Sequence, residues 1–389
     1  METKTKWEEM FDELNDARRN AFIELKEMKE RGEMIAGTFC QYAPTEIINA
    51  AGFFNVGLCG KSYEPIPLAE TELPANLCPL VKSSYGHVLG DTCPFAFFSD
   101  IVIGETTCDG KKKMFEMLER HKPMHVVHLP NMPDKDRSLE GWVEELRYLK
   151  QSLEEKFDLE ITEESLREQI KINNEFRRLR GAIYELGKLD PPPITGKIMR
   201  AAISGTTFMS DKVARTQKLQ EIIDFCLEQY ESDNGPFPRN THPPRILVSG
   251  ASLDGVASKT VHVIEELGGA IVCYEGCSGI VSMRRMVDDD ENIDPIVAIA
   301  DKYLEVPCAV MSPNQRRMDQ VAQTIDEWKI DGVVSITLHA CTTFTVESYN
   351  IGKVCEEKGI PFMHIQSDFS PGDEGQLRTR IEAFLEMLQ

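Results

Sequence analysis

The sequence of 389 residues predicts an α/β fold, with two parallel-sheet lobes of the Rossmann-like or flavodoxin-like kind and a helical segment between them. Two observations lead to this prediction. Short apolar runs alternate with helical patterns near the start of the chain, which is typical of parallel sheets with crossover helices. The same alternation returns after a charged helical stretch and a Pro-rich connector at 234–245. The length of the chain also favours more than one core.

The chain divides into four predicted parts: an N-terminal helix at 1–30, a first lobe at 31–137, a helical segment with the connector at 138–240, and a second lobe at 241–389. Apolar runs predict first-lobe strands at 34–40, 53–59, 101–108 and 124–130, with helices at 44–52 and 111–121. Second-lobe strands are predicted at 245–255, 270–277, 308–314, 331–341 and 361–368, with helices at 261–269, 294–305, 318–329 and 349–359. Prolines are predicted to break the helical segment at 190–196.

The composition excludes several classes of function. A net charge of −21 argues against a nucleic-acid partner, because phosphates require Lys and Arg for neutralisation. The charged N-terminus has no apolar signal-peptide region, and no uncharged run has the length of a membrane span, so we expect a cytoplasmic protein. The sequence has 11 cysteines, and a reducing cytoplasm makes a disulfide framework unsuitable for them. Packing, nucleophilic chemistry and metal binding are the remaining roles.

Four cysteines end predicted strands, two in each lobe: Cys40, Cys108, Cys277 and Cys341. Ligands of open α/β sheets bind outside the carboxyl ends of the strands, so these thiols could converge on one cleft between the lobes. Thiolates spread along the whole chain are compatible with an iron–sulfur cluster between the lobes. A zinc finger does not fit, because the sequence contains no C-x2-C pair. The alternative for each thiol is a packing role as a small hydrophobe.

The other cysteines fall into three groups according to the residues around them in the sequence. Each of two lies next to a proline at the boundary of a predicted element: Cys78 and Cys308. Three lie in apolar or helical patterns that favour packing: Cys59, Cys226 and Cys355. Cys93 and Cys273 are compatible with either role.

Few other segments suggest a catalytic or ligand-binding role. His339 lies two residues before Cys341, and we predict that it donates a hydrogen bond or a proton at the cleft; the alternative is a core histidine with its polar atoms paired. The segment Gly60-Lys61-Ser62 is not a phosphate loop, because Asn55 stands where that motif requires glycine. We therefore expect no nucleotide site on this chain. The lysines at 111–113 are interpreted as a solvated helix face.

Several segments together resemble the 2-hydroxyacyl-CoA dehydratase and benzoyl-CoA reductase superfamily, and most of all its branch of double-cubane cluster proteins. The matching segments are FCQYAPTEIINAAGF, LCPLVKSSYG, ETTCDGKKKMFE, EGCSGIVSMRR, LEVPCAVMSPNQRR, DGVVSITLHACTTFTVES and IPFMHIQSDFSPGDEGQLRTRIEAFLEML. The resemblance extends from about residue 30 to the end of the chain.

The resemblance implies a ligand set. Superfamily members hold a single cubane through about three cysteines, whose matching positions here are Cys78, Cys108 and Cys341. In the double-cubane branch, two [4Fe–4S] cubanes share a bridging sulfide. The matching motifs here contain three further thiols for a second cubane: Cys40, Cys277 and Cys308. How the six divide between the cubanes stays open, as does replacement of one of them by Cys93 or Cys273.

The resemblance also implies an activity: ATP-dependent reduction of small, hard-to-reduce molecules such as acetylene. The electrons would come from a separate dimeric iron–sulfur ATPase, and the chain itself would form a homodimer. Glu46, in the matching segment, is a candidate proton relay at a helix start, with a simple N-terminal helix charge as the alternative. Two other hypotheses stay open: a single-cubane dehydratase subunit that requires a second subunit, and a non-catalytic protein for cluster assembly or electron storage.

Overall fold

The computed structural model describes residues 5–251 and 256–388 and contains two four-stranded parallel sheets. The first sheet is formed by β1 (Met34–Thr38), β2 (Phe53–Gly57), β3 (Ile101–Glu105) and β4 (Met124–Val127), and the second by β5 (Arg245–Gly250), β6 (Ala270–Gly276), β7 (Gly332–Leu338) and β8 (Phe362–Ser367). The strand orders, β2-β1-β3-β4 and β6-β5-β7-β8, are equivalent. The predicted α/β class with two parallel sheets is confirmed. The strand order reverses between β1 and β3 and between β5 and β7, where such sheets form their binding crevices.

Fifteen α-helices are described in the same residues: α1 (Lys6–Glu30), α2 (Thr45–Ala50), α3 (Ile66–Ala69), α4 (Pro79–Leu89), α5 (Pro94–Phe98), α6 (Asp109–Leu118), α7 (Lys135–Phe157), α8 (Glu163–Glu185), α9 (Gly196–Gly205), α10 (Lys212–Glu231), α11 (Val256–Glu266), α12 (Pro295–Leu304), α13 (Gln315–Glu327), α14 (Thr342–Lys358) and α15 (Glu374–Glu386). The helices α7 to α10 form the predicted helical segment, which is interrupted within the proline-containing stretch 190–196. None of the helices in the described ranges has the length and apolar character of a membrane span.

One hydrophobic core of the protein, called the shared core below, contains residues from both halves of the chain. The apolar side chains of β1 and β3 pack together with those of α7 and α12, although α12 lies in the second half of the sequence. The hydroxyl of Tyr42, just after β1, donates a hydrogen bond of 2.6 Å to the carbonyl of Val306, just after α12. This contact joins the carboxyl edge of the first sheet to the loop that contains Cys308. The division of the chain into four parts stays a prediction.

One predicted strand is wrong. Residues 308–314 form turns between α12 and α13 and pair with no strand among the described residues. Pro307 and Pro313 flank this apolar run and lack the N–H groups that a ladder requires. The apolar side chains are buried in the shared core instead, Met311 among them. The predicted strand 245–255 is shorter, because β5 ends at Gly250; residues 252–255 lie outside the described part, as do residues 1–4 of the predicted first helix.

Gly250 makes a close backbone contact at the end of β5. Its φ is 128°, and a Cβ atom there would lie 1.8 Å from the carbonyl oxygen of Ile336 on β7. We expect Gly250→Ala to lower the free energy of unfolding by more than about 3 kcal/mol, through backbone strain and this clash. Chemical denaturation measures the change. Gly57→Ala is the matched control, because Gly57 ends β2 and its Cβ would meet nothing within 4 Å; equal losses in both variants would contradict the expectation.

Candidate functional site

The six predicted ligand cysteines form two groups of three. Four of them follow strands, whereas Cys78 lies between α3 and α4 and Cys308 between α12 and α13. The Cys78 triad comprises Cys78, Cys108 and Cys341, whose sulfur atoms interact with one another through Cys78. The Cys40 triad comprises Cys40, Cys277 and Cys308, in which Cys40 interacts with both of the others and Cys277 interacts with Cys308. Each triad combines cysteines from both halves of the chain.

The Cys78 triad lies at helix N-termini. Its members are the N-cap residues of α4, α6 and α14. The positive end of a helix favours a thiolate over a thiol. The Cys78 and Cys341 sulfurs share a hydrogen bond that lowers the pKa of Cys78 and raises the pKa of Cys341. Backbone N–H groups of Leu80 and Val81 lower the pKa of Cys78 further. This triad therefore presents at least one sulfur that is already suited to bind a metal as thiolate.

In the Cys40 triad Cys308 is buried, and Cys40 and Cys277 are half-buried. Burial raises the pKa of Cys308 to about 12 and raises that of Cys40 well above its usual value. Without a metal these two thiols are neutral at pH 7. A coordinated metal deprotonates a thiol outright, so a bound cluster would remove the cost of ionising them.

A buried ion network supports the loops of the Cys40 triad. The guanidinium of Arg317 donates two hydrogen bonds, of 2.7 and 2.8 Å, to Glu275, which lies two residues before Cys277, and another to Glu347. The side chain of Asn314 donates to the Cys308 carbonyl at 2.9 Å and to Glu347 at 2.6 Å. Because Arg317 is only 1% exposed, the network fixes both loops in a region of low dielectric.

A cleft of about 590 Å³ opens beside these thiols and is lined by residues of both lobes, including Cys40 and Cys277. Two predictions are corrected here. Cys59 does not simply pack in the core: it lines the cleft, and its thiol donates to the Phe39 carbonyl at 2.9 Å. Lys111 does not lie on a solvated face: it is half-buried, lines the cleft and donates to the same carbonyl at 3.1 Å. Cys93 also lines the cleft.

Three cysteines lie away from the cleft. Cys226, Cys273 and Cys355 are fully buried in the core around the second sheet. Burial raises the pKa of Cys226 and of Cys355 to about 12. The packing role predicted for these two is confirmed, and Cys273 shares it.

Sequence reasoning missed Glu105, the last residue of β3. Its carboxyl group is fully buried, and neither oxygen has a hydrogen-bond partner in the described part of the chain. Burial raises its pKa to about 8, although Lys111 opposes the shift. A carboxyl at the end of the otherwise apolar strand IVIGE is the signal that could have identified it.

The two predicted proton-transfer residues lie in different surroundings. Glu46, in α2, is fully buried and forms an ion pair with Arg177 and accepts a hydrogen bond of 3.0 Å from the Tyr303 hydroxyl. Burial alone would raise its pKa, but Arg177 and then Lys302 outweigh burial and lower it. His339 is exposed and lines a separate cavity together with His364. The structure therefore does not bring His339 into the cysteine-lined cleft.

The kind of metal centre that these side chains could hold depends on how widely their donor atoms are spaced. Within residues 5–251 and 256–388, no three His, Cys, Asp or Glu side chains converge on one position that could hold a single metal ion. In an iron–sulfur cubane each thiolate binds a different iron, so its ligands are spaced more widely than those of one ion. Two sets of three thiols, of which Cys40 and Cys277 line the cleft, fit the second kind of centre.

Comparison with known proteins identifies the family. Residues 40–388 match the family described as 2-hydroxyglutaryl-CoA dehydratase, D-component. The chain belongs to this family. All six cysteines of the two triads fall within the matched residues. The resemblance to the 2-hydroxyacyl-CoA dehydratase and benzoyl-CoA reductase superfamily is thereby confirmed.

Curated relatives cover nearly the whole chain. A candidate dehydratase subunit of Escherichia coli, YjiM, is 43% identical over 97% of this chain and 98% of its own length. The (R)-phenyllactyl-CoA dehydratase beta subunit of Clostridium sporogenes is 24% identical over 94% of both chains. One of the subunits of the benzoyl-CoA reductase of Thauera aromatica is 20% identical over 90% of this chain and 89% of its own. The relatives of this chain are thus subunits of dehydratases and reductases.

Proposed function

We propose that the protein is an ATP-dependent reductase of small, hard-to-reduce molecules that works at a double-cubane iron–sulfur cluster. The observation that supports this most strongly is the division of six cysteines into two triads, one of which borders the cleft through Cys40 and Cys277. The Cys78 triad would hold one [4Fe–4S] cubane and the Cys40 triad the other, with a bridging sulfide between them. This division is our proposal for how the six thiols are shared, which the sequence left open.

When bound, such a cluster would supply electrons at a low potential, which a dry environment around the sulfurs helps to set. The residues of this chain provide that environment. The helix N-termini at the Cys78 triad favour its thiolates, and the Arg317 network fixes the loops of the Cys40 triad. Lys111, which donates a hydrogen bond to the Phe39 carbonyl and lines the cleft, places a positive charge there.

The electrons would come from a separate dimeric iron–sulfur ATPase, and the nucleotide would bind to that partner rather than to this chain. We also propose a homodimer, a small-molecule substrate and a cytoplasmic location. Glu46 stays our proposed proton relay, and His339 stays a proposed hydrogen-bond or proton donor, but from a separate cavity and not from the cleft. The ion pair of Glu46 with Arg177 supports a carboxylate that is ionised at rest.

A second candidate function is a subunit of a 2-hydroxyacyl-CoA dehydratase or an aryl-CoA reductase with a single [4Fe–4S] cluster at the Cys78 triad. The names of the relatives from Clostridium sporogenes and Thauera aromatica favour it. Such a subunit would act on a CoA thioester together with a different subunit.

The test is turnover with a purified iron–sulfur ATPase partner under strict exclusion of oxygen. The proposal predicts that acetylene is reduced to ethylene, with two electrons and two protons taken up for each molecule, only when ATP and both proteins are present. Dehydration of a 2-hydroxyacyl-CoA without acetylene reduction would favour the second candidate. ATP hydrolysis that no substrate alters, with a cluster bound, would favour the non-catalytic hypothesis.

A further inference from the structure

A second cavity, of about 190 Å³, adjoins the cysteine-lined cleft. The two cavities have several lining residues in common, among them Cys40, Cys277 and Arg180. Five cationic side chains line the smaller one: Arg177, Arg180, Lys212, Arg215 and Lys302. No Asp or Glu of the described chain is among its lining residues. This concentration of positive charge contrasts with the net charge of −21 of the whole chain.

Two of these cations have guanidinium nitrogens without a hydrogen-bond partner in the described part of the chain. Arg215, on α10, is 8% exposed, and its Nε and Nη2 atoms have no hydrogen-bond partner among the residues described. Nε of Arg180, on α8, also lacks a hydrogen-bond partner among the residues described. The Phe176 ring lies between them, with its centroid 4.0 Å from the Arg215 guanidinium carbon and 5.3 Å from that of Arg180. The ring contacts both guanidinium groups but accepts no conventional hydrogen bond from them.

The other polar groups that line the cavity differ in whether they have a partner. The side-chain amide nitrogen of Asn173 is buried, lines the cavity and has no partner in residues 5–251 or 256–388. Arg177 is paired with Glu46, and Lys212 donates to Gln169 at 2.6 Å. The Lys302 ammonium lies 4.0 Å from the centroid of the Tyr303 ring. The cavity is thus lined both by cations that have a partner and by donors that have none among the described residues.

Burying an unpaired charge is costly, and proteins normally avoid it. Here burial and the proximity of Arg180 lower the pKa of Arg215 to about 10, and burial and Arg177 lower the pKa of Lys302. Arg215 thus has no acidic group beside it among the residues described, whereas Glu46 partly offsets burial at Lys302. An anion in the cavity would supply a counter-charge and accept the orphaned hydrogen bonds.

We propose that this cavity binds a small oxyanion, a carboxylate or a phosphate-like ion, through Arg180, Arg215 and Asn173. Guanidinium groups bind such anions with paired, charge-assisted hydrogen bonds. The volume is below the range of about 300–1,000 Å³ typical of larger organic ligands, which favours a free ion over a whole nucleotide or CoA. Because Cys40 and Cys277 line the same cavity, the bound anion lies beside the Cys40 triad. The site goes beyond the proposed function and does not require that a cluster be present.

The test is isothermal titration calorimetry of the purified full-length protein with inorganic phosphate, acetate and CoA, at constant ionic strength in chloride. We expect saturable binding of phosphate or acetate and at least about tenfold weaker binding in Arg215→Gln, because a charge-assisted hydrogen bond is removed. Arg178→Gln is the matched control. Arg178 lies on α8 beside Arg177 but is exposed and paired with Glu175, so its replacement should leave the affinity unchanged.

A second measurement separates ligand binding from folding. Ligand-free Arg215→Gln should melt at the same temperature as the wild type or higher, because the change removes a buried unpaired charge, and its iron content should match the wild type. Three results would overturn the proposal: no saturable binding of either ion, equal affinities in wild type and Arg215→Gln, or binding of CoA alone. Because the titration is informative for protein with or without iron, its failure is distinct from failure of the proposed reductase function.

Discussion

Cys108→Ala is expected to lose about half of the iron of the wild-type protein and most of its reductase activity. Cys108 belongs to the Cys78 triad and caps α6, and removing one of three thiolates should release the cubane that this triad would hold. Iron is measured colorimetrically in protein purified without oxygen. Cys355→Ala is the control, because Cys355 is fully buried in α14 and lies in the core around the second sheet. Unchanged iron and activity in Cys108→Ala would contradict the ligand assignment.

The same reasoning separates the two triads. Cys277→Ala should also lose about half of the iron, from the other cubane, and the double variant Cys108→Ala/Cys277→Ala should retain almost none. Two single variants that each lose all of the iron would indicate one cluster that depends on all six thiols. Full retention of iron in Cys277→Ala would leave the Cys78 triad as the site of a single cubane.

Arg317→Met is expected to lower the free energy of unfolding by about 3–5 kcal/mol, because it leaves two carboxyl groups buried without their partner. Glu275 is 1% exposed and Glu347 is 7% exposed, and both accept hydrogen bonds from Arg317. Chemical denaturation at several pH values measures the loss. Arg178→Met is the control, since the exposed pair with Glu175 should contribute at most about 1 kcal/mol.

The loss in Arg317→Met should depend on pH with a definite sign. Burial raises the pKa of Glu347 although Arg317 opposes the shift, so without the guanidinium its pKa in the folded state should lie further above its value in the unfolded chain. The folded state then binds more protons, so stability falls as pH rises through this range and returns on acidification. We therefore expect a smaller loss near pH 5 than near pH 8. A loss that is independent of pH would indicate that Arg317 acts through packing alone.

The sequence predicted the alternation of strands and helices well, because apolar periodicity and turn residues are local signals. The failure at 308–314 is also local: the run is apolar, but its flanking prolines prevent strand pairing. Positions at element boundaries singled out six thiols as candidates, and it was the family resemblance that implied them as the ligand set. Their division into triads could not be predicted, because each triad joins residues that are distant in the chain and meet only through the shared core.

Charged residues were the least predictable part of the site. Lys111 belongs to a run of three lysines, of which only Lys112 and Lys113 are exposed. Arg180 and Arg215 lie in helices whose charge is otherwise typical of solvated faces, and only tertiary packing directs them into one cavity. Charged residues in a sequence usually indicate a solvent-exposed surface. The periodicity of these helices does not show that Arg180 and Arg215 line a cavity instead.

The central claim is that the chain holds two cubanes, and the content of iron and acid-labile sulfide in protein purified without oxygen tests it most directly. The account predicts about eight irons per chain, with slightly more sulfide than iron because of the bridging sulfide. About four irons per chain would contradict it and favour a single-cubane dehydratase subunit. Essentially no iron, in protein made with an adequate iron supply, would indicate that all six thiols have a structural role.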